Sequence, residues 1–246
     1  DGAAGTVYLK LETAIDGTLF VDGVMPAGQT APLATQLPPI GPGVAAAVGA
    51  DTLVVDEKLP AFTQDALVGL RLNPNRAQAQ DFAIASNTPN EIRVVTPNEN
   101  GVAFASVAAV GATYAGAWHL DEVRLRRGGF LELADPLFAS VELGLAQNSV
   151  LAHPETTQVY APDLVIEAGR VTVDATSRID VTGRGHLGGN RSGLGETAHT
   201  EGFAAGAQNG TGGSYGGVGG DYVGNGASVT NAVYGNPTAP RALGAG

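Results

Sequence analysis

The sequence contains no cysteine, and its 246 residues include one tryptophan, one methionine and only two lysines. The absence of cysteine excludes disulfides and thiolate metal sites. Basic residues number 13 against 24 acidic ones, which gives a net charge of −11. A chain this acidic repels phosphate backbones and anionic lipid surfaces. The composition therefore argues against nucleic acid and membranes as partners.

Long hydrophobic runs are also missing. The longest, at residues 102–110, falls well short of the ~20 apolar residues that span a bilayer. No signal peptide is visible, and the sequence begins within a strand-like pattern, as we expect of a mature product or of a segment of a longer protein. The apolar residues are mainly Ala, Val and Leu, which suit thin repetitive β layers better than a core with aromatic anchors.

Short runs of alternating apolar and polar residues indicate β-strands. In residues 122–126, Val123 and Leu125 alternate with charged residues, so one face of the strand is expected to be buried and the other to face solvent. Residues 170–174 and 178–182 alternate in the same way. Further strands are predicted at residues 6–11, 18–22, 52–55, 66–72, 82–85, 91–95, 130–133, 140–143, 149–152 and 164–167.

Strand–turn–strand units recur with a period near 20 residues. Val123, Val141 and Leu164 occupy equivalent places in three such units. Stacked units of this length are typical of a parallel β-helix, or β-solenoid, and we predict this all-β fold. A β-sandwich is the alternative, because tight turns such as Gly128-Gly129 suit antiparallel hairpins equally well.

Composition divides the chain into three stretches. Residues 1–60 hold entry strands and a Pro/Ala-rich loop, and residues 61–182 are predicted to form the solenoid coils. Residues 183–246 are glycine-rich, which is typical of a flexible linker. We predict instead an ordered loop that leads into a following repeat, because aromatic and leucine side chains are interspersed, namely Tyr215, Tyr222, Tyr234, Phe203, Leu187 and Leu194. Bundled polyglycine-type helices are a third option.

Residues 164–189 resemble the glycine-rich tandem-repeat modules of giant bacterial cell-surface and extracellular proteins. The pieces that carry the resemblance are residues 179–189 and 212–220, Tyr234-Gly235 with Pro240, and residues 4–10. Placing Gly246 before Asp1 continues the module pattern, so we expect one period of a tandem array. The resemblance implies a β-helix in adhesins, fibres or sheath-like surface layers, and it transfers no catalytic residues.

We therefore expect a structural or adhesive repeat unit of a secreted bacterial surface fibre, located outside the cell. Its expected partners are neighbouring copies, joined head to tail, and surface polysaccharide; we do not expect an enzyme. One alternative is a carbohydrate-binding or carbohydrate-cleaving β-helix, with Glu132, Asp135 and Glu142 as the carboxylates available for cleavage. Such a protein needs a groove lined by aromatic residues, which are few here. A phage tail fibre or spike is the other alternative.

Ligand motifs are sparse. Residues 183–188 match G-x-G-x-x-G after a strand, but more glycines follow, so no helix can begin there to bind a dinucleotide. No histidine shows metal-ligand spacing. Oxygen ligands favour Ca²⁺, with candidates at Asp16, Asp22, Asp174, Asp180 and Asp221. Asn190 and Asn209 begin glycosylation sequons, and no catalytic or cofactor-binding residue is assigned.

Overall fold

The computed structural model describes residues 5–12, 16–23, 33–55, 61–158, 160–188, 197–200, 204–208, 213–215, 219, 232–236, 238 and 243. The chain forms two compact units. The first comprises residues 1–153 and 164–180, and the second comprises residues 154–163 and 181–246.

The protein is all-β, as predicted. Its one helical element in the described ranges is a 3-10 turn at Phe104–Ser106, and these ranges contain no helix long and apolar enough to cross a membrane. The strands are β1 (Gly5–Leu9), β2 (Thr18–Asp22), β3 (Thr35–Gln36), β4 (Gly43–Val44), β5 (Ala47–Val48), β6 (Thr52–Val54), β7 (Arg71–Asn73), β8 (Phe82–Asn87), β9 (Glu91–Val94), β10 (Thr113–Arg126), β11 (Phe130–Glu132), β12 (Leu137–Leu145), β13 (Val150–Ala152), β14 (Ile166–Ala168), β15 (Val171–Val173), β16 (Arg178–Ile179), β17 (Thr197–His199) and β18 (Ala205–Gln208).

A ladder of parallel strands runs through the first unit. Strand β10 pairs in parallel with β2 and with β12, and β12 pairs in parallel with β14 and β15. The register places Leu19, Val123, Leu143 and Val171 opposite one another. Residues opposite one another in a sheet point to the same face, so these four side chains form one column.

A second, shorter parallel ladder repeats the same order. Strand β11 pairs with β3 and with β13, and β13 pairs with β16. Along the chain, β2, β10 and β12 of the first ladder are each followed by a strand of the second, and so is the pair β14 and β15. We call each such unit a layer: layer 1 is β2 and β3, layer 2 is β10 and β11, layer 3 is β12 and β13, and layer 4 is β14, β15 and β16.

Aliphatic side chains from both ladders pack into one core. Val123 and Leu125 are fully buried, whereas Arg124 and Arg126 between and beside them are exposed. The predicted alternation of buried and exposed residues is therefore confirmed for residues 122–126, whereas the apolar residues of 170–174 and 178–182 are exposed. Leucines of the second ladder, including Leu131, belong to the same cluster. Each fully buried Leu or Val contributes about 1.5–3 kcal/mol, so this core is the main stabilising element of the layers.

The chain between layers 1 and 2 forms an antiparallel segment. Strands β5, β6, β9, β8 and β7 pair in that order with antiparallel neighbours. A separate core cluster holds it together, in which Phe82 and Phe104 pack edge to face with 5.2 Å between ring centroids. The first half of β10 pairs antiparallel with β4 and β7, and its second half belongs to the parallel ladder. The stretch predicted as continuous coils, residues 61–182, thus includes antiparallel strands.

Two detailed predictions are wrong. Residues 66–72 do not form one strand: a turn, with positive φ at Asp65 (55°) and Gly69 (85°), precedes β7. Val123, Val141 and Leu164 are not equivalent, because β12 carries one extra residue where its register with β10 shifts after Leu120. The bulge leaves Val141 exposed, and the partners of Val123 are Leu143 and Val171, which follow it by 20 and then 28 residues.

The second unit contains the glycine-rich stretch. Strands β17 and β18 form an antiparallel pair. Tyr215 and Tyr234 pack edge to face with 5.3 Å between ring centroids, and the Tyr234 hydroxyl donates to the Leu243 carbonyl oxygen at 2.6 Å. Two of the predicted aromatic anchors therefore contact each other. Asn190, Leu194, Phe203, Asn209, Asp221 and Tyr222 lie outside the described residues.

Candidate functional site

Layer 4 exposes the side chains that continue the core. Val171, Val173 and Ile179 lie in register with buried leucines of layer 3. They are 47%, 44% and 41% exposed, although their partners in layer 3 are almost completely buried. In the part of the chain that the structure describes, no strand pairs with the outer edges of β14, β15 and β16. Layer 4 therefore presents aliphatic side chains beside unpaired backbone groups.

Strand β1 is another edge of the sheet that contains β14 and β15. It pairs antiparallel with β2, and no other described strand pairs with it. Val7 and Leu9 on this strand are more than half exposed. An edge strand with exposed apolar side chains is a template for pairing with another chain. Among the described strands, β1 and the β14–β15 side of layer 4 are thus two of the unpaired edges of one sheet, and β16 is an edge of the second sheet.

Ion pairs on the outer face connect neighbouring layers. Arg126 and Arg127 of layer 2 both reach Asp22 of layer 1, at 2.9 and 2.8 Å. Burial alone would raise the pKa of Asp22, but the hydrogen bond from Arg127 and the two guanidinium charges lower it. Arg170 of layer 4 pairs with Glu142 of layer 3 at 2.9 Å. Exposed pairs of this kind stabilise little, but they favour one alignment of the layers.

A cleft of about 620 Å³ lies where β1, the start of layer 2 and the turn before β7 meet. Thr6 and Tyr8 line it from alternate positions of β1, and Lys10 lines it just after the strand ends at Leu9. Trp118 lines it from β10, and Asp16 from the turn that leads into β2. The cleft combines aromatic, aliphatic and charged side chains. The sequence contains few aromatics, but the fold places two of them at one site.

A network of charged side chains adjoins the cleft, whose wall includes Arg71 and His119. The Arg71 guanidinium pairs with Glu99 at 2.6 Å and with Asp81 at 3.7 Å. The His119 Nε2 atom lies 2.6 Å from an Asp81 carboxylate oxygen. Burial acts to raise the pKa of Asp81, but the contact with His119 and the charge of Arg71 outweigh it and lower the pKa.

Carboxylates near the cleft also affect the pKa of Tyr8. Burial, followed by the negative charges of Asp16 and Asp121, raises the pKa of its hydroxyl. Asp16 lines the cleft, and Asp81, Glu99 and Asp121 lie around it, so four carboxylates stand against the three basic side chains of Lys10, Arg71 and His119. The site is therefore better suited to an uncharged ligand than to an anion.

Asp135 joins the antiparallel segment to layer 2 from the interior. Its carboxylate is 1% exposed and accepts backbone N–H bonds from Ile40 at 2.6 Å, Gly41 at 2.9 Å and Gly116 at 2.7 Å. Burial raises the pKa of Asp135 to about 6, and the three N–H donors limit the rise. The residue is a structural clamp, since backbone groups surround its oxygens.

The carboxylates considered for cleavage of a polysaccharide occupy separate environments. Glu132 accepts a hydrogen bond from the Gln36 side chain at 2.8 Å. Glu142, on the outer face, accepts hydrogen bonds from Arg170 at 2.9 Å and Thr172 at 2.7 Å. Glu132, Glu142 and Asp135 are therefore held by separate hydrogen bonds, each in a different part of the structure.

The candidate calcium ligands do not converge. Asp174 accepts the backbone N–H of Gln147 at 2.7 Å and closes a turn of layer 4, and Asp180 pairs with Arg178 at 3.0 Å. Asp22 is held by two arginines, and Asp16 lines the cleft. Among the described residues, no three carboxylate or imidazole side chains come together as a metal site. Calcium binding stays a prediction.

Comparison with protein-family models, with curated proteins and with solved structures finds no match for the chain. Function is therefore inferred from the geometry of layer 4, strand β1 and the cleft.

Proposed function

We propose that the chain is a structural, adhesive module of an extracellular bacterial surface fibre, in which copies associate end to end. Its four layers form a parallel β-helix, and the fibre grows by continuing the sheet from one copy into the next. The observation that supports this proposal most directly is the aliphatic surface of layer 4. There, Val171, Val173 and Ile179 are exposed although they continue a buried core.

The two parallel ladders support the β-helix assignment. Each layer contributes to both ladders, with one strand in each except in layer 4, whose β14 and β15 both join the first ladder. Side chains such as Leu19, Val123 and Leu143 stack in one column. A layer of this kind cannot bury its inner face alone, so stability comes from stacking on its neighbours. The antiparallel segment between layers 1 and 2 is then an insertion that leaves the column uninterrupted.

End-to-end association follows from the two different edges of one sheet. Layer 4 offers Val171 and Val173, which continue the inward-facing column, and β1 offers an unpaired edge on which Tyr8 lies in register with Leu19 of that column. Pairing layer 4 of one copy with β1 of the next joins unlike surfaces. Such heterologous contacts generate open filaments unless the rotation between copies closes a ring.

The acidic surface supports rods that stay separate. The net charge of −11 resists lateral contact between like-charged rods. The basic side chains that the outer face does carry are engaged in pairs such as Arg126 with Asp22 and Arg170 with Glu142. Repulsion acts between rods, whereas the ends of each rod carry uncharged aliphatic side chains.

Sedimentation velocity over a range of concentrations, with electron microscopy of the largest species, tests the proposal. We expect filaments in the unmodified protein and their loss in the double variant Val171→Lys/Val173→Lys, since lysine on an edge strand blocks pairing. Val110→Lys is the matched control, because Val110 is an exposed valine in the antiparallel segment, 68% accessible. A protein that stays monomeric at every concentration, or a double variant that assembles as well as the control, would contradict end-to-end association.

A further inference from the structure

We infer that the cleft between β1, β10 and the turn before β7 binds a short, uncharged saccharide. Its volume of about 620 Å³ lies within the range of about 300–1,000 Å³ that small-molecule sites occupy. Segments far apart in sequence build it, around Tyr8, Arg71 and Trp118. The site therefore exists only in the folded chain.

The apolar wall fits the faces of a sugar ring. Trp118 is half-buried, and Tyr8 is 53% exposed, so both rings have surface available to a ligand. A pyranose ring carries C–H groups on its faces, and these pack against the electron-rich face of an aromatic ring. Aromatic side chains also give large contact areas while their polar ends reach water.

The polar wall fits sugar hydroxyls. Lys10 and Arg71 carry N–H donors, and the Asp16 carboxylate accepts. A hydroxyl both donates and accepts, so one ligand with several hydroxyls can use both kinds of group. A purely apolar ligand would leave these polar groups without water, which costs free energy.

The charge balance selects an uncharged ligand. Glu99 and Asp81 pair with Arg71, and Asp16 and Asp121 act on Tyr8. An anionic sugar would meet this excess of carboxylates in a protein whose net charge is −11. We therefore expect neutral hexose oligosaccharides to bind and uronic acid oligomers to be rejected.

Saccharide binding goes beyond the structural role proposed above and does not depend on it. Thr6 and Tyr8 line the cleft from one face of β1, and Lys10 lines it just beyond the strand, whereas end-to-end association uses the backbone edge of the strand. If copies do form a fibre, each contributes one cleft, and repeated weak sites on one rod raise the avidity for a polysaccharide.

Trp118 provides a direct readout, because it is the only tryptophan in the chain. Its fluorescence is recorded while the protein is titrated with gluco-, galacto- and manno-configured oligosaccharides, at a concentration where sedimentation shows single copies. Oligogalacturonate forms a separate arm. We expect a saturable change with at least one neutral series and none with oligogalacturonate.

Three variants locate the binding. Tyr8→Ala should weaken it about tenfold by removing an aromatic contact worth roughly 1.4 kcal/mol, and Tyr8→Phe should retain it within a few fold. Asp16→Asn removes an acceptor charge, keeps the shape and should also weaken binding. Glu167→Gln, on the exposed surface of layer 4, is the matched control and should bind normally.

Three results would overturn the inference. The first is a fluorescence that no neutral series changes, and the second is oligogalacturonate binding more tightly than the neutral series. The third is unchanged affinity in both Tyr8→Ala and Asp16→Asn. Because all titrations use single copies, failure here leaves the sedimentation result on fibre assembly unaffected, and the reverse also holds.

Discussion

Replacing Asp135 with asparagine should change how the stability of the first unit depends on pH. The Asp135 carboxyl has a pKa of about 6 in the folded chain, against 3.8 for a free side chain, because it is buried. The folded state therefore binds its proton more tightly than the unfolded state does. The resulting stabilisation is fully present below pH 4 and is lost as the pH rises through 6.

The size of this effect follows from the pKa difference. About two pKa units correspond to roughly 3 kcal/mol in the free energy of unfolding. An asparagine side chain cannot titrate, so the Asp135→Asn variant should lack this contribution. The amide nitrogen of the new side chain would face at least one of the N–H donors of Ile40, Gly41 and Gly116, and an unpaired buried donor costs about 1–3 kcal/mol at any pH.

Urea unfolding of both proteins between pH 4 and pH 7 measures the difference. We expect Asp135→Asn to be less stable than the unmodified protein near pH 4, and the gap to shrink by roughly 2 kcal/mol towards pH 7, since pH 4 already lies slightly above the pKa of the free side chain. Carboxyls whose pKa values are lowered, namely Asp22, Asp81, Glu142 and Asp174, destabilise both proteins alike as the pH falls, and they cancel in the comparison. A gap that stays constant across this range would refute the assignment of Asp135 as a buried, proton-binding clamp.

Leu125→Ala should lower the free energy of unfolding by about 2–5 kcal/mol in urea titrations, because Leu125 is fully buried between layers; a smaller loss than for the exposed Val110→Ala would contradict this. Asp174→Asn should speed hydrogen exchange at the Gln147 amide, whose N–H it accepts, and leave the core amides of β10 protected. Addition of Ca²⁺ should raise the melting temperature if the predicted ligands bind it in the folded state only, and an unchanged melting temperature would contradict the calcium prediction.

Local patterns predicted the layers better than they predicted the pairing partners. The strand at residues 18–22 and the burial of Val123 and Leu125 could be predicted directly, because apolar and polar residues alternate within each strand. The same alternation arises in parallel and antiparallel strands, so nothing local marked the antiparallel segment around Phe82. The exact register between β10 and β12 could not be predicted either, because the bulge beside Val141 adds a residue to β12 that the hydrophobic pattern does not reveal.

The cleft depended on contacts that sequence spacing does not encode. Tyr8, Arg71 and Trp118 come together only because β1 pairs with β2, β2 with β10, and β10 with β7. A count of aromatic residues over the chain argued against a groove, although two well-placed rings are enough for one. Asp135 did carry a local signal: a lone carboxylate between Leu133-Ala134 and Leu137-Phe138 has apolar neighbours on both sides.

The exposed valines of layer 4 can be covered by another segment of the same chain or by a second copy, and the two cases predict different melting behaviour. Suppose another segment of the same chain packs on Val171 and Val173. The lysine double variant would then lower the melting temperature of the single chain at every concentration, since a buried contact within the monomer would be lost. If a second copy covers them, the single chain already exposes both valines, and the double variant should melt like the unmodified protein when dilute. The two proteins should then diverge only as concentration rises and the unmodified protein gains stability by association.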